Sequence, residues 1–343
     1  MKKFLAFSIL STATFILPFP FLQAEAVPTN NQSFEQWCLQ KKSLPAETRK
    51  TVEVLLTKAG TQNCKLADAK LSSLSVLNLG GSQISDLKPL AGLSSLKKLQ
   101  LNANQISDLK PLAGLTQLTQ ITLESNQISD LTPLTGLTNL ADINLQGNQI
   151  RDLNPLAKLT GLRWLWLRKN QISDLRPLAA LTNLTRLELS HNKISDLKPL
   201  SRMTNLPRIL LDNNQISDLK PLAGLTNLTS IWLLNNQIKN VQPLAGLTKL
   251  TEIGLSNNQI SDLKPLERLK SSVYLYLDSN QINDIKPLVG LTKLSLLSLS
   301  KNPISDLKPL SSLTNLIRLE LSKDQVSEEI CPIKPEYLCW VTN

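Results

Sequence analysis

The sequence predicts an α/β repeat solenoid, in which short strands and short helical turns alternate and stack into a curved arc. A unit of 22 residues recurs along most of the 343-residue chain, and each copy carries the pattern L-x-x-L-x-L-x-x-N-x-I/L. One such unit cannot bury its apolar face alone, whereas a stack of units can. A period of this length with this pattern therefore indicates a leucine-rich-repeat horseshoe. The copies begin at Leu74, Leu96, Leu118, Leu140, Leu162, Leu184, Leu206, Leu228, Leu250, Ser272, Leu294 and Leu316, the last copy being truncated.

Each repeat is expected to begin with a short strand. In the copy Leu118–Asn139, positions 4 and 6 are Ile121 and Leu123, and both are apolar in almost every copy. Side chains alternate along a strand, so these two positions share one face and point into the core. Stacking then gives a concave parallel β-sheet, with positions 3, 5, 7 and 8 facing outward.

Polar residues mark the rest of the unit. Position 9 is Asn in ten copies, from Asn104 to Asn302, and we interpret it as a structural amide that satisfies buried turn groups. Position 13 is mostly Asp and position 16 is Pro, as in Asp86 and Pro89. This pair predicts an Asp N-cap followed by Pro in the first turn, hence a short helical turn at the back of each repeat. A calcium-binding row of Asp is the less favoured alternative.

The chain divides into four predicted segments. Residues 1–26 resemble a secretory signal peptide, with Lys2 and Lys3 before an apolar stretch and Ala24-Glu25-Ala26 as the cleavage site. Residues 27–73 are expected to form a helical N-terminal cap, opened by a capping box at Ser33. Residues 74–326 form the leucine-rich-repeat solenoid, and residues 327–343 form a C-terminal cap. We expect a protein that is secreted or periplasmic/extracellular, without stable membrane insertion, and monomeric.

The four cysteines lie outside the repeats, two near each end of the chain. Three pairings are possible. Twelve stacked strands would place the two ends roughly 50 Å apart, which is far beyond disulfide reach. The expected bridges are therefore Cys38–Cys64 and Cys331–Cys339; metal ligation is the less favoured alternative, because no His lies near either pair.

The net charge is +10 at pH 7, and much of the excess comes from position 15 of the repeats. This basic row lies on the helical side and is most simply a solvated rim; attraction to an anionic envelope is the alternative. An exported solenoid without a recognised motif is not expected to bind nucleic acid. The row comprises Lys88, Lys110, Arg176, Lys198, Lys220, Lys264, Lys286 and Lys308.

The variable outward positions predict a binding surface in repeats five through ten. All five aromatic residues of the repeats occupy position 3 or 5, whereas the first four repeats have polar residues at position 5. Trp, Tyr and Arg are enriched at binding hot spots, although neutral drift or shielding of the sheet would also place them there. Gly254 is expected to leave a notch between Trp232 and Tyr276. The candidate contacts are Trp164, Trp166, Arg168, Arg186, Glu188, Arg208, Leu210, Trp232, Leu234, Tyr274 and Tyr276.

The repeat consensus L-x-x-L-x-L-x-x-N-Q-I-S-D-L-x-P-L-A-G-L-T-N resembles the 22-residue repeat of the bacterial internalin-like family. The resemblance spans roughly residues 74–326. It implies a right-handed curved solenoid, 3-10 turns opposite the sheet, and protein binding on the concave side.

The sequence is compatible with three functions. The favoured one is a non-catalytic, exported protein that binds a protein partner through its concave face. A glycan or cell-envelope polymer could instead stack on the same aromatic rings, and a purely structural envelope component is the third possibility. We expect no enzyme activity, metal or cofactor, since no nucleophile–base pair, metal cluster or phosphate loop is visible. His191, at position 8, is interpreted as a surface residue.

Overall fold

The computed structural model describes residues 32–325, 331, 333 and 335–342. Three helices come first: α1 (Phe34–Leu39), α2 (Ala46–Ala59) and α3 (Cys64–Ser72). A single parallel sheet of 13 strands follows, with neighbours in sequence order. The predicted signal segment 1–26 lies outside the described residues. The α/β repeat solenoid is confirmed.

The strands are short and in register, with position 4 of each repeat beside position 4 of the next, as Leu99 lies beside Ile121. Opposite the sheet run eleven 3-10 segments, from Lys88–Leu90 to Lys308–Ser312. The strands are β1 (Val76–Asn78), β2 (Lys98–Gln100), β3 (Gln120–Thr122), β4 (Asp142–Asn144), β5 (Trp164–Trp166), β6 (Arg186–Glu188), β7 (Arg208–Leu210), β8 (Ser230–Trp232), β9 (Glu252–Gly254), β10 (Tyr274–Tyr276), β11 (Leu296–Ser298), β12 (Arg318–Ser322) and β13 (Cys339–Thr342).

The core is one continuous column of aliphatic side chains between the sheet and the 3-10 segments. In the repeat that begins at Leu118, Ile121, Leu123, Ile128 and Leu131 are all at most 1% exposed. Burial of such a side chain contributes about 1.5–3 kcal/mol before the entropy cost. Since each repeat buries the same set, the strands sit at a constant spacing.

The position-9 asparagines form a buried ladder that joins successive repeats. Asn192 donates from Nδ2 to the carbonyls of Leu167 and Leu189, at 2.9 and 3.0 Å. Its Oδ1 accepts from the Ile172 amide at 3.1 Å. Each asparagine side chain thus hydrogen-bonds to backbone groups of two neighbouring repeats, which agrees with its predicted structural role. At the end of the ladder Gln325, one residue after Asp324, donates to Leu299 O and Asn302 O.

Two details of the repeat differ from the prediction. Asp86 is not the N-cap, because Leu87 holds that position; Asp86 Oδ1 instead accepts from the Lys88 amide two residues later, at 2.9 Å. Position 8 is not a strand position, since its backbone is left-handed, with φ 58° at His191 and 54° at Asn235. Its amide hydrogen-bonds to the next repeat, as His191 N does to Asp212 O, so this residue turns the chain out of the sheet.

The N-terminal cap covers the first repeat with helices. Ser33 and Gln36 form the predicted capping box of α1, and Gly60 ends α2 in the left-handed conformation. The third helix, α3, was not predicted; it buries Ala67 and Leu71. The predicted disulfide Cys38–Cys64 is confirmed and ties α1 to the start of α3, with Cα atoms 5.5 Å apart.

The C-terminal end adds a strand that the repeat period did not predict. The predicted disulfide Cys331–Cys339 is confirmed, and it fixes the first residue of β13. That strand pairs in parallel with β12, placing Trp340 beside Glu320. The sheet therefore has 13 strands, where the repeat count gave twelve.

Candidate functional site: the concave strip

The outward positions of β5 to β10 carry a band of aromatic, arginine and leucine side chains on the concave sheet. We call it the concave strip. The sheet register fixes its order, because Trp166, Glu188, Leu210, Trp232, Gly254 and Tyr276 lie side by side along consecutive strands. The strip comprises Trp164, Trp166, Arg186, Arg208, Leu210, Trp232, Tyr274 and Tyr276.

One end of the strip is a tryptophan–arginine cluster. The rings of Trp164 and Trp166 meet edge to face, with centroids 5.6 Å apart. Arg186 on the next strand places its guanidinium 4.3 Å from the centre of the Trp164 ring. A cation over an indole face contributes about 0.5–2 kcal/mol. Both indoles are half-buried, so each holds a fixed orientation and still reaches solvent.

The other end is a tryptophan–tyrosine pair that closes over Gly254. The rings of Trp232 and Tyr276 lie 5.3 Å apart, centroid to centroid. A Cβ atom on Gly254 would come within 2.8 Å of Trp232 Cε3 and 2.5 Å of Leu234 Cδ1. The predicted notch at Gly254 is therefore wrong. The missing side chain lets Trp232 and Leu234 lean across the strand, and the glycine is buried beneath them.

Hydrogen bonds hold the Trp232 indole in place. Its Nε1 donates to Ser230 Oγ at 3.0 Å, and the Ser230 hydroxyl donates to Glu252 Oε2 at 2.8 Å. The polar edge of the indole is thus satisfied within the protein. Its hydrocarbon part and the neighbouring tyrosine stay partly exposed, in an orientation that these hydrogen bonds fix.

Two carboxylates lie under the middle of the strip. Glu188 is 9% exposed, and its Oε1 accepts from the Ser190 amide at 2.9 Å; it supports the backbone more than it offers a contact. Asp212 accepts from the Leu234 amide at 2.8 Å. Burial raises the pKa of Asp212 to about 6, helped by the nearby Glu188 charge and opposed by the Leu234 hydrogen bond and Arg168.

The remaining candidate residues in and around the strip differ in exposure. Arg168 and Arg208 are exposed, and Leu234 is half-buried. The pKa of His191 is lowered by burial and by the charges of Arg168 and Lys169, so the ring is neutral at pH 7. Its Nε2 lies 3.3 Å from Asn213 Nδ2. Tyr274, 40% exposed, is the most open aromatic of the strip.

Sequence reasoning missed one aromatic residue on the same face. Trp340 is 55% exposed and lies beside Glu320 in the sheet. Arg318 places its guanidinium 4.5 Å from the Trp340 ring centre, a second arginine–tryptophan contact on this face. No 22-residue signal could have located it, because β13 follows a segment outside the repeat period.

Among residues 32–325, 331, 333 and 335–342, no group of three or more His, Cys, Asp or Glu side chains could hold a metal ion. In the same residues, no helix has both the length and the apolar character needed to span a membrane. A groove of about 660 Å³, open to solvent, runs along the strip from Trp166 to Glu252.

Comparison with known proteins agrees with this architecture. A leucine-rich-repeat family model (two copies) matches residues 72–114, 116–158, 160–202, 204–246 and 233–268. An internalin (InlF) from Listeria monocytogenes is 33% identical, with a TM-score of 0.74 over 82% of this chain and 87% of that chain. Internalin C2 from the same organism is 35% identical, with a TM-score of 0.55 over 61% of this chain and 91% of its own.

A leucine-rich-repeat protein from Leptospira interrogans is 26% identical, with a TM-score of 0.62, over 75% of this chain and 74% of that one. A search of curated proteins gives no match. Leucine-rich-repeat folds of this kind are typical of protein-interaction domains and are generally binding scaffolds without catalytic activity. From its repeat, its fold and its likeness to two internalins, the chain belongs to the leucine-rich-repeat proteins of the internalin-like family.

Proposed function

We propose that the protein is an exported, non-catalytic binding module that holds a protein partner on the concave strip. The observation that carries the proposal is the pair of preorganised aromatic clusters, Trp164–Trp166 with Arg186 and Trp232–Tyr276, on a sheet whose other face forms the core. Trp, Tyr and Arg dominate binding hot spots. An exposed apolar cluster rimmed by charge marks an interaction site.

Two features support export. Both disulfides require an oxidising environment, and residues 1–26 have the composition of a signal peptide. Cleavage near Ala26 would leave a mature chain that consists of the helical cap 27–73, the repeats 74–326 and the C-terminal segment 327–343.

A protein partner fits the strip better than a glycan does. Sugar binding by stacking needs open aromatic faces, but Arg186 already covers Trp164, and Trp232 leans on Tyr276. What remains accessible is one exposed ring, Tyr274, within an uneven surface of ring edges, Leu210 and guanidinium groups. Such a mixture suits the varied side chains of a protein.

Affinity capture tests the proposal. Immobilised wild type and Trp166→Ala/Trp232→Ala protein are exposed to secreted and envelope fractions, and the retained proteins are identified by mass spectrometry. Each hot-spot truncation costs about 2 kcal/mol, so the two together, at about 4 kcal/mol, should weaken binding of the wild-type partner about 1,000-fold.

The matched control is Gln100→Ala/Thr122→Ala, which truncates two position-5 residues on the same face, in repeats two and three. It should retain the partner. Circular dichroism establishes that all three proteins are folded. Capture of the same proteins by wild type and the tryptophan variant, or retention only of envelope polysaccharide, would refute the proposal.

A further inference from the structure

The hydrogen-bond ladder of the sheet is interrupted between β6 and β7. Elsewhere the carbonyl of position 2 accepts two amides from the next repeat: Arg163 O accepts from Thr185 N at 2.8 Å and from Arg186 N at 3.1 Å. Pro207 occupies position 2 of repeat seven, and proline has no N–H to donate. The β6–β7 register holds two residue pairs, whereas β7–β8 holds three.

The interruption leaves an acceptor without its usual donors. Among the backbone hydrogen bonds of the described residues, none ends on Thr185 O, although the equivalent Pro207 O accepts from Thr229 N and Ser230 N. Thr185 and Pro207 both line the groove of about 660 Å³ on the concave strip. A ligand in that groove could therefore donate to the sheet at this one point.

The same groove is lined by two arginines that form no ion pair with an acidic side chain of the described residues. Arg186 and Arg208 occupy position 3 on adjacent strands, about 4.8 Å apart in strand spacing, and none of the three ion pairs of the described residues involves them. Like charges on neighbouring strands destabilise each other. An anion placed between them would remove that repulsion.

The groove's own carboxylates do not fill this role. Glu188 accepts from Ser190 N and Glu252 accepts from the Ser230 hydroxyl, and neither carboxylate forms an ion pair with Arg186 or Arg208. The apolar part of the groove is supplied by Trp166 and Leu210. An occupant that matches the arginines, the Thr185 carbonyl and this apolar part would combine an acidic group, an N–H donor and an apolar side chain.

We infer that the groove binds an acidic segment of the protein partner, with a carboxylate between Arg186 and Arg208, an N–H directed to Thr185 O and an apolar side chain against Trp166 and Leu210. A polypeptide carries all three groups at short spacing, whereas an anionic polysaccharide lacks the apolar side chain. This inference rests on the proposed protein-binding function and specifies the chemistry of the partner.

Fluorescence anisotropy tests the arginine contact. The probe is a fluorescein-labelled peptide of three Glu-Leu repeats, compared with its Gln-Leu counterpart at 150 mM salt. Arg186→Gln/Arg208→Gln should weaken binding of the acidic peptide at least tenfold. The control Lys198→Gln/Lys220→Gln changes the same net charge in the same two repeats on the convex side, where both lysines are exposed, and should stay within twofold of wild type. Equal losses in the two variants would show a net-charge effect and overturn the inference.

The Thr185 carbonyl is tested separately by Pro207→Thr. Threonine at position 2 donates twice to the preceding carbonyl, as Thr229 does from its amide and from Oγ1. The variant should therefore unfold at a higher urea concentration and bind the acidic peptide at least threefold more weakly. Pro207→Ala, which restores only the amide, should also unfold at a higher urea concentration and bind the peptide more weakly, but both effects should be smaller. Stabilised variants with wild-type peptide affinity would exclude the carbonyl from the site.

A sulfated hexasaccharide serves as the competing probe. If it binds with arginine dependence and the acidic peptide does not, the groove is a glycan site and the inference is wrong. Partner capture is an independent result. Tryptophan-dependent capture without arginine-dependent peptide binding would refute the acidic segment while leaving protein binding on the concave strip intact.

Discussion

Asp212 shows how the concave strip is maintained at some cost to stability. Its carboxylate lies two residues beyond β7 and fixes the Leu234 amide, in surroundings that raise its pKa to about 6, chiefly by burial. Between pH 3.8 and about 6 the folded protein retains a proton that the unfolded chain has lost. The free energy of unfolding therefore falls as pH rises through this range, and the buried charge destabilises the fold above it.

We predict that Asp212→Asn stabilises the protein at pH 7.5 by about 1–2 kcal/mol, the full shift being discounted for remaining solvent contact. The asparagine oxygen can still accept from Leu234 N. At pH 4 the two proteins should have nearly equal stability, because the wild-type carboxyl is then protonated when folded. Urea unfolding at both pH values measures this, with the exposed Asp324→Asn as control. A gain that is the same at both pH values would contradict the assigned cause.

At the scale of the repeat, much of the fold could be predicted because the same 22-residue pattern occurs in a dozen copies, so that a deviation in one copy does not obscure it. The structural role of a repeat position is supported by every copy that carries the same residue type, as for Leu118, Asn126 and Pro133. The predictions failed at features that occur only once in the chain. Helix α3 and strand β13 occur once each, outside the period. At Gly254, the sequence shows that a side chain is missing but cannot show that Trp232 rotates into the space.

The asparagine ladder is the feature that joins one repeat to the next. Asn192→Ala would leave Leu167 O, Leu189 O and Ile172 N without this partner in a buried site. An unsatisfied buried group costs about 1–3 kcal/mol, so we expect a loss of about 3 kcal/mol or more. Asn183→Ala removes an exposed asparagine with one bond, to Thr160 O, and should cost less than about 1 kcal/mol. Urea denaturation compares them; equal losses would mean that the ladder is not the source of cohesion.

At the scale of the molecule, the sheet sets the spacing between the side chains of the concave strip. Its strands are in register from β5 to β10, and adjacent strands lie about 4.8 Å apart. The identities of the strip residues were readable from the sequence because positions 3 and 5 alternate with the core. Their pairing was not, because the contacts Arg186–Trp164 and Trp232–Tyr276 depend on side-chain rotation.

The most direct test of the concave strip as the docking surface is the affinity of two insertion variants for the captured partner. One extra copy of Leu118–Asn139 is inserted between Asn227 and Leu228, which moves Trp232 one strand away from Leu210 without removing any residue. In the matched control the same copy is inserted between Gly161 and Leu162, outside the strip. Surface plasmon resonance should show affinity reduced more than tenfold by the first insertion and preserved by the second. Equal affinity of both variants would contradict the account.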